Sequence, residues 1–307
     1  MSRSAGSVVA ILLATGIFRT VAVYLSALLL ALLAGRLAAE PVDSLSPDVI
    51  RFIVANTEFS VMHEMGHMLI AEYDLPVLGR EEDAADQLGF IALFQLYSRL
   101  STAEVDARLL DIADYWRLEW QRPKSIREQV QAWDTHPLDE QRYYNIVCLL
   151  YGSDMRRLDW VPELTHLPYE RALYCDDEFR QARRALHWVG SFQHKAIQRR
   201  AGIRVVFEAP TGAIPDIDQL ITPLHDDDTF QRLADDITQL LQPPRALTLR
   251  LMSCGAPDAS YNRRSGELTL CYERLDHFRH LAETLKRLKK PSDWHCPRPE
   301  LVKVQAC

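Results

Sequence analysis

Apolar positions along the chain recur first at helical spacing and only later at strand spacing. Phe59, Met62, Met65, Met68 and Leu69 recur at intervals of three and four, the pattern of a helix with a buried face. Ser46-Pro47-Asp48 supplies a cap residue followed by proline, so that helix is expected to open there and Pro76 to stop it. A second helix is predicted from the acidic stretch at Glu81, continuing through Phe90, Leu93, Phe94 and Tyr97. Ser101 and Glu104 stand in capping-box spacing and open a third helix toward Trp120. Pro123 closes that unit, and Ser125–Trp133 is expected to add another helix. A further helix runs through Gln141, Tyr144, Val147 and Leu150 to Gly152, and more helix is expected over residues 167–200.

The texture then changes. Residues 203–208 are rich in β-formers, and residues 246–252 alternate Leu247, Leu249 and Leu251 against Thr248 and Arg250, the pattern of a half-buried strand. Asn262–Gly266 reads as a turn before another strand at Leu268–Tyr272. Helices are expected at 228–241, with Leu233, Ile237, Leu240 and Leu241 as the stripe, and at 275–288. The fold class is therefore α+β: a mostly helical part over 40–200, a small αβ part over 201–290 packed on it, and a tail at 291–307.

Residues 1–39 are of another kind. Two apolar runs, Val8–Phe18 and Val21–Ala34, flank Arg19-Thr20, and small residues precede Glu40-Pro41. This is the form of a secretory signal peptide, with an uncleaved membrane anchor as the other reading. Either one puts the remainder in an extracytoplasmic space, periplasmic or secreted. The six cysteines all lie beyond this segment, as an exported, disulfide-bonded chain requires. Nearest-neighbour pairing is expected, with Cys254–Cys271 the foremost pair because a hairpin would join them. A net charge of −7 without a basic run argues against nucleic acid as a partner.

The chemistry concentrates in His63-Glu64-Met65-Gly66-His67. Histidines four apart on a helix share a face and can offer two nitrogens to one metal ion. A glutamate beside the first can act as base on a water held there. Zinc takes at least three protein ligands, and the next helix starts with Glu81 and Glu82. Glu82 is four residues before Asp86. Glu82 is thus the candidate third ligand, and Asp86 the carboxylate that orients a ligand histidine from behind. Glu81 is the alternative ligand, since one step along a helix turns a side chain by about 100°. His136, Tyr143 and Tyr144 are candidates to steady the oxyanion that develops during amide hydrolysis.

The HExGH and ExxxD pair resembles the glutamate-zincin metallopeptidases. The longer strings HEMGH through DLPVLGREEDAADQLG, THPLDEQRYYNIVCLLYGSD and CGAPDASYN…LTLCYE are similar to a bacterial metallopeptidase family of unknown physiological role. The resemblance implies a zincin-like fold, zinc held by His63, His67 and Glu82, Glu64 as general base, and a peptide or protein as substrate. Two other readings use the same residues: a zinc hydrolase acting on a cell-wall amide, and a non-catalytic protein braced by zinc. The sheet is expected beside the metal helix, where an edge strand could align an extended peptide.

Overall fold

The computed structural model describes residues 45–288, except 126, 127, 129, 132, 194–200, 213, 227 and 242. The expected signal or anchor, the tail, and Cys296 and Cys307 lie outside the described residues. Everything is built around one long helix, α1 (Pro47–Glu72), capped by the Ser46 side chain. From Phe52 to Gly66 every residue of α1 is buried, so it is a central helix packed on all sides rather than an amphipathic one. Its polar residues have partners inside. The Asn56 amide donates to the carbonyls of Phe52 and Asp111. Thr57 and Ser60 donate to the carbonyls one turn back, and Arg274 donates to Ser60. Glu58 accepts from Tyr97 and Arg108.

The helix ends before Pro76. Tyr73 caps it and Asp74 takes a left-handed φ of 51°, so the turn precedes the proline. The chain then reverses into α2 (Glu81–Leu96). The two helices approach closely because glycine faces backbone in both directions. A Cβ on Gly66 would stand 2.8 Å from the Ala85 Cα, and one on Gly89 would stand 2.9 Å from the His63 nitrogen. Gly89→Ala is expected to push the helices apart, with an overpacking cost of about 1–3 kcal/mol partly offset by alanine's helix propensity. Thermal unfolding checks it: the midpoint falls.

Helix α3 (Thr102–Gln121) opens with the expected capping box. Described residues between it and α4 (Asp139–Ser153) show no α-helix, so the helix expected over 125–133 is not found there. A short α5 (Val161–Thr165) comes first, and the helix expected over 167–200 is found in two pieces, α6 (Tyr169–Ala172) and α7 (Cys175–Gln193), with 194–200 outside the described residues. His166, at a φ of 52°, turns the chain at the end of α5, and Pro168 stands at the start of α6. The Cys148–Cys175 disulfide joins α4 to α7.

The sheet follows: β1 (Ile203–Phe207), α8 (Ile217–Asp226), α9 (Thr229–Leu241), β2 (Leu247–Met252), β3 (Ala259–Asn262), β4 (Glu267–Cys271) and α10 (Tyr272–Leu288). The spatial order is β1-β2-β4-β3, so β3 is an edge strand. It runs antiparallel to β4, whereas β1, β2 and β4 are mutually parallel. Helix α8 and strand β3 have no counterpart in the sequence reading, and Tyr272 opens a helix rather than closing a strand. The Leu247, Leu249 and Leu251 side chains enter the core as their alternation requires.

Two clamps lay the β3–β4 hairpin against α1. Arg245 is paired with Glu72 at the end of α1 and also donates to the carbonyls of Arg263 and Arg264 in the hairpin turn. Tyr261 donates to the same Glu72. At the other end of the hairpin, Cys254–Cys271 closes the loop that leads into β3. The edge strand is thereby held along the face of α1 that carries His63 and His67.

Candidate metal centre

His63 and His67 stand one turn apart with ring centroids 4.9 Å apart. Each ring is oriented from behind by a carboxylate of α2. His63 Nδ1 is 2.7 Å from Asp86 Oδ1, and His67 Nδ1 is 2.9 Å from Glu81 Oε1. With Nδ1–H donated in each case, both Nε2 atoms turn their lone pairs to one point. They are 3.2 Å apart. Glu82 Oε2 completes a triangle, 3.3 Å from His63 Nε2 and 3.4 Å from His67 Nε2. That oxygen is buried and makes no well-formed hydrogen bond.

The triangle is a test of fit. Metal–ligand bonds of ~2.0–2.1 Å at tetrahedral angles set neighbouring donor atoms ~3.3–3.4 Å apart. Two imidazole nitrogens and a carboxylate oxygen at this spacing match the donor types and separations of a zinc-sized ion, so the residues present fit one. Among the described residues one other group of this kind gathers, Cys254, Cys271 and Glu273. Its sulfurs are bonded to each other, and the Glu273 carboxylate accepts the backbone N–H groups of Cys254 and Gly255.

The local electrostatics follow from crowding. Burial alone would lower His63, but its hydrogen bond to Asp86 and the adjacent Glu82 carboxylate outweigh it and its pKa is raised. Burial would likewise lower His67, yet the carboxylates of Glu82 and Glu81 beside it carry it up to about 9. Burial would raise Glu82, and the two histidines instead hold it well below the usual carboxylate range. Glu64 is different. It is buried, 4.0 Å from His63 Nε2, and burial raises its pKa more than the neighbouring cations lower it. A carboxylate so placed is a better proton acceptor than one in water.

Asp86 is itself held. Arg142 of α4 grips it with two nitrogens while its guanidinium lies 3.6 Å over the Trp116 ring. The sequence reading did not single out Arg142, because 56 residues separate it from Asp86. Removing the charge with Asp86→Asn is expected to weaken binding of a metal ion at the triangle about 10–100-fold, as read by competition with a chelator. Unchanged affinity would show that the His63–Asp86 contact does nothing for the metal.

His63, Glu64, His67, Glu81 and Glu82 line one cleft of about 770 Å³, together with His136, Asp258, Ala259, Ser260, Tyr261 and Arg263. His136 comes from the loop before α4 and puts its Nε2 3.4 Å from Glu82 Oε2. Asp134 accepts its backbone N–H and stands 2.9 Å from its Nδ1. His136 is not among the ligand group, but it shares the cleft. Tyr143 and Tyr144 do not line it. Tyr143 is buried and donates to the Thr165 carbonyl, and both tyrosines lie against Trp120. Their place as oxyanion candidates is corrected: helix α4 turns them into the helical body. Glu81 is not in the ligand triangle either. It sits behind His67, where its pairing with Arg263 also holds its pKa down against burial.

Residues 28–189 match the family DUF4344, described as putative metallopeptidase. The matched span includes the triangle, Glu64, Asp86 and His136. No curated protein and no solved structure matches the chain.

Proposed function

The chain belongs to the DUF4344 family of putative metallopeptidases, and from that premise we propose that it is a zinc-dependent metallopeptidase with Glu64 as general base. The observation that carries this reading is the triangle of His63 Nε2, His67 Nε2 and Glu82 Oε2 beside a buried carboxylate that is not part of it. Zinc held there would supply Lewis acidity, polarising the scissile carbonyl and lowering the pKa of a water toward ~7. Glu64 takes the proton of the attacking water and passes it to the departing amine. His136, oriented by Asp134, donates to the carbonyl oxygen as negative charge develops on it. Strand β3 offers its free edge to an extended peptide, whose main chain it aligns.

Three protein ligands leave a position open, as catalytic sites do, whereas structural zinc sites close with four. This weighs against a merely braced, non-catalytic protein. A peptide or protein is the partner on this reading. An extracytoplasmic location belongs to it as well, supported by the disulfides Cys148–Cys175 and Cys254–Cys271. No helix among the described residues is long and apolar enough to cross a membrane.

The test is hydrolysis of an unfolded protein such as casein by the purified chain. Cleavage is expected with zinc, is lost on chelation and returns when zinc is restored. Activity on purified cell-wall material but none on casein or a peptide library would move the assignment to a cell-wall amidase. Activity untouched by chelation would overturn the metal mechanism.

A further inference from the structure

The two histidines of the triangle are held by two chains of the same chemical form, arginine to carboxylate to imidazole, yet the chains are anchored in different parts of the fold. Arg142, Asp86 and His63 form the first. It lies inside the helical body, with the Arg142 and Asp86 side chains only 9% and 11% exposed. Arg263, Glu81 and His67 form the second. Nη2 of Arg263 lies 2.6 and 2.8 Å from the two carboxylate oxygens of Glu81, and Glu81 Oε1 is 2.9 Å from His67 Nδ1. Here the arginine comes from the β3–β4 turn, 182 residues away in sequence, and the pair is open to solvent, 59% and 35% exposed.

That turn is built to hold still. Asn262 Oδ1 accepts the backbone N–H groups of Arg264 and Ser265. Gly266 takes a φ of +68°, which a side chain would resist, and its N–H donates to the Asn262 carbonyl. Arg245 fastens the turn's carbonyls to Glu72. Glu72 ends α1 and Glu81 begins α2, so the hairpin spans the connection between the two metal-site helices and touches both sides of it.

We propose that Arg263 is a positioning residue for the metal site: acting through Glu81, it ties the edge hairpin to His67. The proposal rests on the reading of His67 as a metal ligand. An outer carboxylate fixes the tautomer and ring orientation of a ligand histidine. Glu81, unlike Asp86, has no buried arginine to fix it, and Arg263 supplies that constraint from the sheet. Its effect is bounded, because exposed ion pairs are weak. It is expected to be smaller than that of the carboxylate it holds.

The experiment is a zinc titration in competition with a chromophoric chelator. It compares the full chain with Glu81→Gln, Arg263→Ala, Arg263→Lys and the Glu81→Gln/Arg263→Ala double variant. Glu81→Gln is expected to weaken zinc about tenfold or more, and Arg263→Ala roughly three- to tenfold, with Arg263→Lys recovering most of that loss. The double variant should bind no worse than Glu81→Gln alone, because the arginine acts only through the glutamate. Unfolding midpoints of the zinc-free variants should match that of the wild type, since the turn is exposed. Arg263→Ala within twofold of wild type would overturn the proposal. So would losses that multiply in the double variant, which would mean that Arg263 does not work through Glu81. A wild-type chain that takes up no zinc would overturn the metallopeptidase reading and this proposal with it.

Discussion

Glu64→Gln is expected to retain zinc and fold while losing turnover by about 10²–10⁴-fold, the range a positioned general base contributes. Glutamine keeps the shape of the side chain, so the packing of α1 is undisturbed. It cannot accept a proton from water. The surroundings of Glu64 suit a base. It is buried in α1, and burial raises its pKa. It lies 4.0 Å from His63 Nε2, near the ligand triangle without belonging to it. Steady-state hydrolysis of a quenched peptide library, with zinc content measured on the same samples, separates the two effects. Full activity with zinc bound would remove Glu64 from the mechanism.

Glu82→Ala should abolish stoichiometric zinc, a larger loss than the ~10–100-fold expected of outer carboxylates. Without Glu82 the two imidazoles remain, but the anionic corner of the triangle is gone. The stability readout is equally direct. A ligand that binds only the folded state at 100 times its dissociation constant stabilises it by about 2.7 kcal/mol. For a chain of this size that is a rise of roughly 4–5 °C in the unfolding midpoint. The wild type should show this rise on adding zinc, and Glu82→Ala should not. Glu81→Ala should keep part of it, since Glu81 stands behind His67 rather than in the triangle. The reverse order of effects would exchange the roles of the two glutamates.

The parts of this centre that were legible in the sequence are those set by helix periodicity. His63 and His67 one turn apart, and Glu82 and Asp86 one turn apart, need only two helices that approach one another. The sequence does not show how closely they approach. Gly66 hinted at it, but that Gly89 faces the His63 backbone depends on how the two helices cross. Glu81 could be named only as the less favoured ligand, because its true direction, toward His67 Nδ1, is a tertiary matter. Arg142 and Arg263 left no local signal at all, since each acts on a partner far away in the chain.

The strands tell the same story. Strand β2 was readable because its buried leucines alternate with polar residues. Strand β3 was not: Ala259-Ser260-Tyr261-Asn262 is short and half exposed, pairs on one side only, and turns its other side to the cleft. Its importance lies in that open edge, which no hydrophobic pattern marks. Helix α8 was hidden by Pro223 in its interior, a residue that usually argues against a helix. The disulfides followed nearest-neighbour order at Cys148–Cys175 and Cys254–Cys271 because each closes a short stretch of chain between packed elements.

The most direct test of the metal centre is X-ray absorption on the purified, zinc-loaded chain, with the zinc content measured alongside. The expected result is one zinc per chain in a shell of nitrogen and oxygen at ~2.0–2.1 Å, with two imidazoles and no sulfur. No zinc uptake, or a shell containing sulfur or a third imidazole, would contradict it.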